Sequence, residues 1–130
     1  MIVSDKTKSF PTVDAQTFAS VMGQAVWLMT MSKDHRDLPI RTVEDLLSPA
    51  ILLKQFKLYS QGKQPLAFLI WASVSDEVKA RVDNGDKQLE LADWRSGTNI
   101  IVVDCISPLH PAEPFIEKFM ASAAEAQARV

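Results

Sequence analysis

From Asp14 onward the apolar positions Phe18, Val21, Met22, Ala25, Val26 and Met29 recur at intervals of three and four, the spacing of one buried helical face. Asp14 can cap that helix, its short carboxylate accepting from N–H groups of the first turn. Gly23 interrupts the interior at a cost of about 1 kcal/mol relative to alanine, so a closely packed neighbour is expected there. The apolar face is lost at Ser32-Lys33-Asp34-His35-Arg36-Asp37, and Pro39 disfavours helix in the residue before it. His35 is therefore expected at a helix end or loop. A second helix is expected to open near Thr42, with Glu44 and Asp45 in its first turn and Pro49 limiting its run.

At Gln55 the period changes. Phe56, Leu58 and Tyr59, then Gly62 between polar residues, then the run 65–74 predict two strands joined by a turn. The second strand lacks clean alternation, as a strand covered on both faces would, and this implies helices packed on the sheet. Ser75-Asp76-Glu77 opens a short helix that Asn84-Gly85 stops. The segment 100–106 reads as another central strand, and Phe115, Ile116, Phe119, Met120 and Ala123 share one face of a last helix with an alanine-rich tail expected to fray. The order is helix, helix, hairpin, helix, strand, helix, in a single α/β or α+β domain over 1–130. A polar arm is expected at 1–13 and a C-terminal helix at 112–130.

Composition narrows the function more than the fold. With 130 residues, 47% hydrophobic, and 14 Lys plus Arg against 16 Asp plus Glu, the chain can build one core and carries no basic field to concentrate nucleic acid. A lone cysteine, Cys105, permits no internal disulfide, so a reducing cytoplasm is the expected compartment. Neither a secretion signal nor a membrane anchor is expected, since residues 1–11 hold no apolar core segment and no apolar run approaches the ~20 residues of a membrane span.

The site-sized residues are His35, His110, Cys105, three tryptophans and scattered carboxylates. No phosphate loop, dinucleotide fingerprint, HExxH or GxSxG is present. His35, among Asp34, Arg36 and Asp37, has the near-neutral pKa and polar setting of a proton acceptor, although a plain surface histidine fits the residues as well. Asp93, between Leu91 and Trp94, could orient an imidazole. His110 reads as a loop histidine without a third partner for a metal site. Cys105 reads as a buried inert thiol, and Trp27 and Trp71 as core or as the walls of an apolar groove.

Gly23, Trp27-Leu28, Ser32, His35-Arg36, Pro49-Ala50-Ile51, Gln55, Tyr59, Pro65, Ala67-Phe68 and Trp71-Ala72 stand in an order that continues through Ser75-Asp76-Glu77-Val78, Asp93-Trp94-Arg95-Ser96-Gly97 and Ser107-Pro108. In this order and spacing, over roughly 18–109, the chain resembles the RTX toxin-activating lysine acyltransferases. The resemblance implies a variant of the Gcn5-related N-acetyltransferase fold, a mixed sheet with helices on both faces. It implies transfer of a fatty acyl group from acyl carrier protein to internal lysines of an RTX protoxin, with no bound cofactor or metal, and a homodimer. The family's histidine falls on His35, its acidic partner on Asp93 and its serine on Ser32, with Ser32, Trp27 and Trp71 placed as substrate-binding residues and Ser32 or backbone N–H groups as stabilisers of the oxyanion. His35 would serve as base or as acylated nucleophile. Ile100-Ile101 and Pro108-Leu109-His110 depart from the family pattern, which bears on the acyl groove and on partner preference. A silent adaptor that binds acyl carrier protein or an RTX protein is the alternative reading. An acetyl-coenzyme A enzyme is disfavoured by the lack of a glycine-rich pyrophosphate turn.

Overall fold

The computed structural model describes residues 13–128, so the expected N-terminal arm lies outside the described residues except for Val13. Asp14 caps α1 (Ala15–Thr30) by accepting the Thr17 N–H at 2.8 Å, and Ala25, Leu28 and Met29 turn inward. Helix α2 (Ile40–Leu52) begins two residues earlier than its charges suggested, directly after Pro39, and runs through Pro49. A proline there is tolerated because only one further turn follows it, and its carbonyl still accepts the N–H of Leu53.

The hairpin is β1 (Phe56–Gln61) and β2 (Gln64–Val74), turned by Gly62 at φ 61°, a left-handed conformation that favours glycine. Ser75 caps α3 (Asp76–Asp83) by accepting the Val78 N–H, and Gly85 at φ 105° follows its end. A 3₁₀ turn at Leu91–Trp94 leads to β3 (Asn99–Ile106), and α4 (Glu113–Ala128) stays helical through the alanines expected to fray.

The sheet order is β1-β2-β3. The resemblance implied a mixed sheet, yet both strand pairings are antiparallel, and parallel character is confined to one bridge between Ser73 and Arg95. Helices flank the sheet as expected. Phe56, Leu58, Phe68, Ile70, Ala72, Val74 and Ile106 share one face and meet α1 and α2 in the main core. Side chains alternate along a strand, so Tyr59 and Trp71 point to the other face, where α4 lays Phe115 and Phe119 against them at ring-centroid separations of 5.0 and 5.8 Å. Phe119 is thus buried against the sheet. Among the described residues Gly23 has no close neighbour: it is exposed, and a Cβ there would meet none of them within 4 Å.

Gln55 joins the sheet to the loop that follows α3. Almost fully buried, it donates to the carbonyls of Trp71 and Trp94 and accepts from Arg95, so every polar atom of its amide is used. Gly97 sits so close to this end of β2 that a Cβ would fall 2.5 Å from the Ser75 backbone. Several residues that carried the resemblance therefore serve the scaffold.

Candidate active site

The turn between α1 and α2 is built on Ser32, whose carbonyl accepts the N–H groups of both His35 and Arg36. Three residues apart, the Ser32 and His35 side chains meet: Ser32 Oγ lies 2.6 Å from His35 Nδ1. His35 Nε2 lies 2.8 Å from Asp104 Oδ2, across 69 residues of sequence. The three groups form a line under the α1–α2 turn, with Ser32 only 7% and His35 only 9% exposed.

Chemistry assigns the protons in this line. A carboxylate can only accept, so in neutral His35 the proton sits on Nε2 and is donated to Asp104. Nδ1 is left as the acceptor for the Ser32 hydroxyl. Asp104 is held in turn, its Oδ1 accepting the Cys105 N–H at 2.8 Å. The hydrogen bond that His35 donates to Asp104 raises the His35 pKa above the ordinary 6.5, and the nearby Asp104 and Asp34 charges add to that against the opposing effect of burial.

Asp104 reaches His35 through the register of β3. Paired with Ile70, it faces the core that α1 and α2 cover. The register shifts between Ile70 and Trp71, making Val103 an extra residue on β3, and a bulge of this kind beside a site re-aims the side chain next to it.

Asp93, the acid expected to orient His35, is occupied elsewhere. Its carboxylate accepts the Glu90 N–H at 2.9 Å, closing the capping box of the 3₁₀ turn, and accepts from Arg81 at 2.8 Å. Those two donors, the backbone one first, hold its pKa below the usual carboxylate value. The structure thus brings His35 to Asp104 and not to Asp93. The signal for Asp104 was in the sequence: one acid inside Ile100-Ile101-Val102-Val103-Asp104-Cys105-Ile106, where an unpaired charge would be expensive.

Of the other expected site residues, Trp27 is 44% exposed on α1, and Trp71 lies under Phe119 on the face opposite His35. His110 is an exposed loop residue whose carbonyl accepts from Ser107. Burial pushes the Cys105 thiol up to about 11, the state of an unreactive sulfhydryl.

Comparison with known proteins bears on this constellation. The RTX toxin acyltransferase (HlyC) family profile matches residues 14–128, nearly everything the structure describes. The chain belongs to this family. An uncharacterised protein of Synechocystis is 30% identical over 98 residues, covering 74% of this chain and 67% of that protein. The RTX-II toxin-activating lysine-acyltransferase of Actinobacillus pleuropneumoniae is 32% identical over 89 residues, covering 68% of this chain and 56% of its own. A protein-lysine myristoyltransferase of Escherichia coli is 31% identical over 88 residues, with 68% and 51% covered. The chain therefore spans about half to two thirds of the length of these relatives. As an acyltransferase-family domain it places its histidine in a Ser–His–Asp line whose serine and histidine are buried, and among its described residues no helix is long and apolar enough to cross a membrane.

Proposed function

We propose that this protein is a protein-lysine acyltransferase that moves a fatty acyl group from acyl carrier protein to internal lysines of an RTX protein in the cytoplasm. Family membership supports the reaction class. The observation that carries the reading is the direction of the proton line, in which Asp104 fixes Nε2–H and so leaves Nδ1 of His35 basic.

Lysine has a pKa near 10.4 and is mostly protonated at neutral pH, so forming an amide from a thioester needs a base that takes the amine proton. The amine attacks the acyl carbonyl, the C–N bond forms and the C–S bond breaks. One amine proton passes to Ser32 Oγ as the Ser32 hydroxyl proton passes to His35 Nδ1. The imidazolium, stabilised by Asp104, returns the proton through the Ser32 hydroxyl to the departing sulfur. Ser32 covers the nitrogen that an acyl-imidazole would need, which favours His35 as base over His35 as nucleophile. The carboxylate role first given to Asp93 passes in this proposal to Asp104.

The test is mass spectrometry of an RTX protein incubated with acyl–acyl carrier protein and either this protein or its His35→Ala form. A fatty-acyl mass on lysine only with the unmutated protein is the expected result. Complex formation without added mass would replace the enzyme with an adaptor.

A further inference from the structure

The two edges of the sheet differ. β1 is short and carries Lys57, a residue type that blunts an exposed edge. β3, with eight residues, contains no lysine, proline or glycine and is half-exposed along almost its whole length. Among the described residues no strand lies beyond β3, and no loop backbone pairs with residues 99–106.

A cavity of about 300 Å³ runs beside it, lined by Val82, Asp83, Lys87, Leu89 and Ile101, Val102 and Val103 of β3. Ile101 and Val103 pack toward the core that α1 and α2 cover, while Val102, paired with Trp71, points to the other face. A cavity that touches residues of both faces of one strand lies over that strand's edge. The next residue along β3 is Asp104, the carboxylate on His35.

We infer that the free edge of β3 binds the acceptor as an added strand, an extended lysine-bearing segment whose lysine lies across from Asp104. The inference rests on the acyltransferase reading above. Main-chain hydrogen bonds would supply affinity with little demand on sequence. Residues directly opposite in paired strands share a face, with Cβ atoms about 4.5–5.5 Å apart, so an acceptor lysine opposite Asp104 emerges on the His35 face, where the carboxylate draws its ammonium toward the line of Asp104, His35 and Ser32. The cavity is bounded by the 82–89 segment, and that segment beside β3 leaves less room for the whole sheet of a second copy than for a single peptide segment.

The experiment uses short synthetic peptides, each centred on one lysine of an RTX protein, with the full chain. Amide hydrogen exchange is read first without any acyl donor, and an active peptide should slow exchange in residues 101–104. N-methylation of the peptide backbone is then scanned along its length. Methyl groups at alternate positions should each lower kcat/KM about tenfold, the cost of one lost main-chain hydrogen bond, with the intervening positions silent. A flat response to N-methylation, or acyl transfer with exchange in β3 unmoved, overturns the docking mode. Protection of β3 that grows with protein concentration and needs no peptide also overturns it, giving the edge to a second copy. Peptide-induced protection of β3 without acyl transfer to any lysine supports the docking and overturns the acyltransferase reading.

Discussion

Two aspartates, eleven residues apart in sequence, teach different lessons about acids in this fold. Asp93 sits in a polar turn, its side chain 16% exposed, and satisfies its carboxylate locally, with the Glu90 N–H three residues back and Arg81 twelve residues back. Asp104 sits in an apolar strand and finds its partner 69 residues away. The first arrangement is a cap, which orders a short stretch of chain and needs no distant group. The second spends a charge in a mostly apolar setting, which is stable only if a built partner meets it. An acid that folding could more cheaply have omitted is the better candidate for chemistry.

Breaking the site side of this comparison should have the largest effect. His35→Ala is expected to abolish acyl transfer while far-ultraviolet circular dichroism stays close to that of the parent and the melting transition falls, because Asp104 loses its partner; transfer at the parental rate per folded molecule would remove His35 from the reaction. Asp104→Asn should lower turnover by about 10³-fold or more, because an amide that donates to Nε2 forces the proton onto Nδ1 and reverses the Ser32 hydrogen bond. Ser32→Ala should cost less, about tenfold, since a water can take over part of a proton relay.

The pH dependence sharpens the same contrast. His35 is raised above 6.5, chiefly by its hydrogen bond to Asp104, so the base becomes competent only as pH climbs through that raised value. The acid limb of kcat/KM is expected above 6.5 in the parent and at lower pH in residual Asp104→Asn activity. Stability runs the other way. A raised folded pKa means that the His35–Asp104 pairing contributes fully below the unfolded value and fades as pH rises through the folded one. A limb that stays in place in Asp104→Asn would separate the two residues.

On the scaffold side the effects are smaller. Asp93→Ala should lose about 1 kcal/mol of stability in denaturant titration, the usual cost of a removed cap, with turnover per folded molecule unchanged. Gly23→Ala should gain up to about 1 kcal/mol, since the position is an exposed helix interior with open space where the methyl would lie. A loss instead would show that Gly23 contacts something outside the described residues.

The elements were legible in the sequence wherever a local rule decided them. Asp14 and Ser75 are caps because their short side chains reach back to the first turn, and Gly62 turns the hairpin because φ there is positive. The Ser32–His35 pair was half legible, since the resemblance set both residues at the site and a turn brings such neighbours together. Asp104 was not read because the partner that explains it comes from register, bulge and helix packing, none of which is local. Trp71 illustrates the same limit: one position along β2 from Ile70, it belongs to the opposite face and to α4. Asp93 was misread because a polar neighbourhood looks alike whether it caps a turn or serves a histidine.

The most direct test of the account is a side-by-side comparison of Asp104→Asn and Asp93→Asn in acyl transfer to an RTX protein, each rate normalised to folded protein. The account predicts loss of about 10³-fold or more in the first and a parental rate in the second. The reverse order, with Asp93→Asn inactive and Asp104→Asn intact, would contradict it.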